Sequence, residues 1–166
     1  MRRIVNRSAS FLFVQRTACI QHSVRIMDHY KTDNEIRDLV ESFEACSFHP
    51  SEFRHYQHLS VALWYVWHLP FDDAETRMKA GIRRLAQTYG KMGYHETITV
   101  FWLRLVAAFA ARAELGPSLA EVANRLIVEC DNKELIYDYY SRELIESAKA
   151  KAEWVEPDLR KLESPS

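Results

Sequence analysis

The run from Tyr94 to Leu115 constrains this chain more than any other stretch. Between Thr97 and Ala111 it carries a single charge, Arg104, and it closes on Gly116-Pro117. A helix this apolar has no natural solvent face, so it belongs at the centre of a bundle with other helices packed around it. It is not a membrane span: the uncharged runs on either side of Arg104 fall far short of the roughly 20 residues needed.

The neighbouring segments read as the partners of that helix. Thr32 and Glu35 form a capping box, after which Ile36, Leu39, Val40 and Phe43 fall on one helical face, predicting a helix over about 33–46. Ser47-Phe48-His49-Pro50 interrupts it. A second, strongly apolar helix is expected over about 51–69, ending at Pro70. Asp72 and Glu75 then open a third, over about 73–89, with Ala74, Met78, Ile82 and Leu85 inward. Arg77, Lys79, Arg83 and Arg84 form its solvated face, and Gly90 is placed to end it. Ser118 and Glu121 cap a fifth helix over about 119–129. Asp131 and Asn132 open a helical stretch through Tyr140, and Ser141 caps one more to about Lys151. Trp154-Val155-Glu156-Pro157 reads as an extended tail lying over the bundle. Only four of the 166 residues are Gly, and Gly and Pro sit between periodic segments, which favours helices over strands. The expectation is one all-α domain over 28–166, a bundle of five to six helices with the 94–115 segment at its centre.

Residues 1–27 differ from the rest. They hold five Arg, several Ser and no acidic residue. Two readings account for this: a mitochondrial transit segment, or a start at Met27 with the upstream part not belonging to the protein. Both leave 1–27 outside the fold. The remaining residues carry 17 basic and 23 acidic groups, a net of −6, which argues against nucleic acid as the main partner. No membrane partner is expected. The three cysteines, Cys19, Cys46 and Cys130, form no Cys-x-x-Cys pair, so a reducing compartment fits: cytoplasmic, or mitochondrial if 1–27 is a transit segment. Cys46 and His49 share metal-ligand spacing, but a helix-end thiol near a loop histidine is the commoner case.

The chemistry gathers around three histidines. His55 and His58 are three apart and share a helix face, a spacing at which two imidazoles can hold one metal. His95 opens the apolar central helix, where the positive end of the helix dipole disfavours the imidazolium and keeps the ring neutral. Thr99 lies one turn on, on the same face, with Trp102 following. Glu96 adds a carboxylate about 100° away from His95 round the helix. Convergence of His55, His58 and His95 on a divalent metal such as Zn or Fe, with one open position, would be the pattern of a catalytic metal site. Glu96 and Thr99 would then be the catalytic groups. Trp64, Trp102 and Tyr140 would wall a substrate pocket and Arg142 would anchor an anion. The competing account makes the histidines hydrogen-bonded core residues or metal-free acid–base groups, and the aromatics simple core. His68, in the last turn of its helix, reads as structural.

Three stretches, Phe53-x-His55-x-x-His58-Leu59, Tyr94-His95-Glu96-Thr97-x-Thr99 and Tyr139-Tyr140-Ser141-x-Glu143-Leu144, resemble a family of small helical proteins with no assigned activity. The resemblance covers about residues 33–160 and implies the helical fold without a mechanism. A looser analogy is to DinB-like bundles, which hold a metal with three histidines on different helices; it extends to fold and site type only. Two functions follow as expectations: a metal-dependent enzyme acting on a small molecule through His55, His58 and His95, or a non-catalytic module binding a small molecule or a protein.

Overall fold

The computed structural model describes residues 28–48, 52–90, 93–113 and 116–162. Within them the chain forms seven α-helices and one 3-10 helix, with no strand. The helices are α1 (Asp33–Glu44), α2 (His55–His68), α3 (Phe71–Thr88), α4 (Glu96–Ala111) and α5 (Leu119–Cys130). A 3-10 helix (Lys133–Asp138) follows, then the short α6 (Arg142–Ile145) and α7 (Ala148–Ala152). The expected all-α bundle is what the chain forms. Its helix count is higher than five to six because the C-terminal region is cut into short pieces. Among the described residues no helix is long and apolar enough to cross a membrane. The arrangement of 1–27 and of His49 lies outside the described residues.

Local chemistry sets the element ends. Glu35 reaches back to accept from the backbone N–H of Lys31, 2.6 Å away, and so caps α1. Ser118 and Glu121 do the same for α5. Ser141 caps α6 by accepting from Leu144 N–H, as its sequence position implies, but that helix does not run on to Lys151. Ser147 offers a second cap, accepting from Ala150 N–H, and splits the stretch in two. The 131–140 stretch winds as a 3-10 helix started by Asn132, whose side chain accepts from Glu134 N–H. The expected Asp72/Glu75 capping pair does not form. α3 starts earlier, at Phe71 with Pro70 before it, and Glu75 instead pairs with Lys79, one turn on. Gly90, at φ 63°, occupies the left-handed position beyond α3 that a side chain would strain.

α2 is the hub, packing against α1, α3, α4 and α5. One apolar cluster joins α1, α2, α3 and α5 with Leu103 and Val106 of α4. At Gly81 a Cβ would sit 2.2 Å from the Phe43 ring, so only glycine lets α1 and α3 come this close. A second cluster, around Phe101, Ile136, Tyr139, Tyr140, Ile145, Ala150 and Val155, lies on the other side of α4. Trp102 and Leu105 touch both clusters, so α4 is central as its composition demands. The tail lies over α4 in extended form. Thr97 Oγ1 donates to Glu153 C=O and accepts from Val155 N–H, at 2.7 and 3.2 Å. Tyr140 Oη donates to Val155 C=O at 2.9 Å.

Candidate functional site

A cavity of about 400 Å³ opens where α2, α3, α4 and the 3-10 helix meet, between the two apolar clusters. His55, His58 and Leu59 line it from α2, with Phe53 just before that helix. Met78 and Ile82 come from α3, and Ile98, Thr99, Trp102 and Leu103 from α4. His95 stands at the N-cap of α4 and also lines the cavity. Lys133, Glu134, Ile136 and Tyr137 complete it from the 3-10 helix. The three histidines singled out in the sequence are therefore brought to one cavity, together with Thr99 and Trp102.

The ring nitrogens decide what these histidines can do. His95 Nδ1 accepts from Ile98 N–H, so the ring proton sits on Nε2, which donates to the backbone carbonyl of Ile145, 2.8 Å away. One nitrogen caps α4 and the other holds α6 against its start. His55 differs. Its Nε2 is buried with no hydrogen-bond partner. In a neutral imidazole Nε2 carries either the ring proton or a lone pair, so it is a polar atom in search of a partner. Burial pushes the His55 pKa down; Lys133 adds to this, while Asp131 and the Cys130 carbonyl oppose it. His58 is pushed down to about 3, first by desolvation and then by the neighbouring His55 and Lys133. Its ring packs edge-on to Phe53 at 4.1 Å, and that of His55 edge-on to Trp102 at 4.4 Å. Burial thus disfavours the charged form of both histidines.

The donor set does not fit the three-histidine metal site expected from the sequence. Among the described residues no group of three or more His, Cys, Asp or Glu is placed to hold a metal ion. His95 cannot serve as a ligand without giving up a backbone hydrogen bond that anchors the fold. Glu96, expected as a catalytic carboxylate, turns away from the cavity. It is ion-paired with Lys79, lies 3.1 Å from Arg83 Nη2, and accepts from Tyr94 Oη at 2.6 Å. Burial raises the Glu96 pKa, but hydrogen bonds from Lys79 and Tyr94 and the charges of Lys79 and Arg83 outweigh it and hold the carboxyl below the usual range. It clamps α3 to the start of α4. Lys79 and Arg83 are thus partners of a buried acid, in place of the wholly solvated face expected of them.

Thr99 lines the cavity, but its hydroxyl donates to His95 C=O at 2.9 Å, a helix-internal bond that leaves its lone pairs toward other groups. Of the three aromatics expected to wall a pocket, only Trp102 does. Trp64 stacks on His68, 4.1 Å away, and His68 Nδ1 bonds to Trp64 C=O, the structural role expected of that histidine. Tyr140 is fully buried in the second cluster. Arg142 stays outside the cavity: its guanidinium lies over the Tyr137 ring at 4.0 Å and 3.4 Å from Glu134. Arg104 lies over the Trp154 ring at 4.5 Å. The wall residues that the sequence reading overlooked, Ile98, Met78, Ile82 and Lys133, carry no local signal. They look like ordinary core or surface positions until the 3-10 helix folds across α4. Cys46 adopts the left-handed conformation just beyond α1, at φ 51°. His49, which stands at metal-ligand spacing from it, is outside the described residues.

Comparison with protein families, with curated proteins and with solved structures finds no match.

Proposed function

We propose that this protein binds a small, largely apolar molecule in the cavity between α2, α3, α4 and the 3-10 helix. The observation that carries this reading is the His55 imidazole: it lines an apolar cavity of about 400 Å³ and its Nε2 is buried without a partner. An unpaired buried polar atom costs roughly 1–3 kcal/mol, a cost that a ligand carrying a matching polar group would remove. The volume falls in the range typical of small-molecule sites, and the mixture of mostly apolar walls with a few polar atoms is the usual composition of such sites. Binding is favoured over acid–base catalysis because a His58 pKa of about 3 is far from the near-neutral value a general base needs. It is favoured over metal catalysis because His95 has no free nitrogen.

The test is titration with N-phenyl-1-naphthylamine, a neutral probe whose fluorescence rises in apolar surroundings. Saturable one-to-one binding is expected, weakened at least about tenfold by Ile98→Trp, which fills the cavity, and unchanged by Trp67→Ala at the far end of α2. Binding that is absent, or equal in wild type and Ile98→Trp, overturns the reading. So does near-stoichiometric zinc or iron in the purified protein that a His55→Ala/His95→Ala variant loses, which would return the metal-dependent account.

A further inference from the structure

We propose that the cavity takes an amphipathic monoanion, a carboxylate on a compact apolar body, with the body filling the space and the carboxylate met by Lys133 and His55 Nε2. This inference rests on the cavity being a binding site and adds the chemical class of what enters it. Lys133 opens the 3-10 helix, stands exposed, and lines the cavity. No other Lys or Arg lines it. Among the described residues Lys133 makes no ion pair. The acid beside it, Glu134, lines the cavity too, but its Oε2 lies 3.4 Å from Arg142 Nη2, so its charge is met from outside. That leaves the wall with one cation whose counter-charge the protein does not supply.

The Lys133 charge is felt inside. Desolvation is the largest cause of the low pKa at His55 and at His58, and the Lys133 ammonium adds to it at both, against Asp131 at His55. An anion seated beside Lys133 would offset that field. The second polar feature is His55 Nε2, buried without a hydrogen-bond partner. A carboxylate oxygen accepts from the ring form that carries its proton there, and the choice of tautomer is open to the ligand. His95 and the Thr99 hydroxyl proton are committed to backbone groups, so His55 and Lys133 are left to recognise a head group. Held near an exposed lysine, the carboxylate keeps part of its hydration, which limits the cost of burying it. Trp102, edge-on to the His55 ring, gives the body an aromatic wall. The residues from 28 to 166 carry a net charge of −6, so a preference for anions would be a property of this cavity and not of the surface at large.

A matched set of naphthalenes displacing N-phenyl-1-naphthylamine from the full chain tests this. 2-Naphthoate is expected tightest and 2-methylnaphthalene about tenfold weaker, the value of a hydrogen bond to a charged group. The ammonium of 2-naphthylmethylamine is expected weaker still. In Lys133→Met the advantage of naphthoate over methylnaphthalene should shrink at least about fivefold, while the methyl compound binds as before. Raising salt from about 0.05 to about 0.5 M should weaken naphthoate and leave methylnaphthalene unchanged, because the lysine is exposed and its field is screened. Naphthoate no tighter than methylnaphthalene, or an advantage that Lys133→Met leaves intact, overturns the anion inference and leaves the binding site standing. Failure of all three to displace a probe that Ile98→Trp does exclude also overturns it. Failure of the probe itself to bind is the separate result that removes the site. Lys133 is exposed, so its substitution keeps the fold and the comparison can be read.

Discussion

At the scale of single residues, the three histidines show how far side-chain spacing carries. Their gathering on one cavity was legible from the i,i+3 pair in one helix and the N-cap position in another. Their roles were not, because what assigns them is remote in sequence, as Ile145 is for His95. No local pattern signals a carbonyl 50 residues away. The folded surroundings turn a set that looks like three ligands into one anchor, one unpartnered ring nitrogen and one desolvated ring. The desolvated ring makes a pH prediction. The His58 pKa is depressed in the folded protein, to about 3, against about 6.5 when unfolded. Between those values the unfolded chain binds a proton that the native state refuses, so stability falls as pH drops below about 6.5 and is fully present above it. His55, shifted the same way, adds to the slope. Chemical denaturation from pH 7 to pH 5 should show a loss of about 1–2 kcal/mol attributable to His58. A His58→Leu variant should show a visibly flatter profile over the same interval. An equal slope in both proteins would mean that His58 titrates normally in the native state.

At the scale of elements, the periodic helices were readable and the capped fragments were not. α1, α2, α4 and α5 each present an apolar face or an apolar body long enough to set a period, and each lies close to its expected range. The stretch from Ser141 to about Lys151 read as one helix because serine is tolerated within helices. The second cap at Ser147 was visible only once Ala150 N–H was seen to donate to it. Likewise Lys79 and Arg83 read as solvent-facing because their acidic partner, Glu96, belongs to another helix. The tail gives this scale its own prediction. Thr97, fully buried on α4, is its fastening: it donates to Glu153 C=O and accepts from Val155 N–H. Thr97→Val keeps the shape, removes both bonds and strands two backbone groups, a change worth about 2–3 kcal/mol. Amide exchange in the variant should accelerate at Val155, which donates to Thr97, and at Leu159, which donates to Tyr139 C=O. Protection in α1 and α5 should fall only with global stability. Uniform acceleration across the chain, with no local excess at the tail, would show that the tail is held by its apolar contacts alone.

For the whole molecule, the question is why a bundle with a helix as apolar as α4 does not close completely. Two clusters meet along α4, one built by α1, α2, α3 and α5 and the other by the 3-10 helix, α6, α7 and the tail. The second turns across α4 without filling the corner where His55 and Ile98 stand, and about 400 Å³ is left there. Protein interiors pack densely, and space next to apolar walls forfeits contacts, so this corner lowers the stability of the free protein. The sequence announced the central helix and the bundle. It did not announce the opening, because a cavity is a property of how two clusters meet and no residue in either is unusual. If the opening is kept for a ligand, filling it should stabilise the fold while abolishing binding. Ile98→Trp, placed on the cavity wall, is therefore expected to unfold at a midpoint equal to or up to about 4 °C above that of wild type, the equivalent of about 1 kcal/mol in a chain of this size. Wild type with N-phenyl-1-naphthylamine at about a hundred times its dissociation constant should gain about 2.7 kcal/mol and overtake the variant, which should gain almost nothing. A variant that stays folded yet melts well below wild type would show that the space around Ile98 is already filled in solution. The cavity would then have no room for a ligand, and the histidines around it would be core residues.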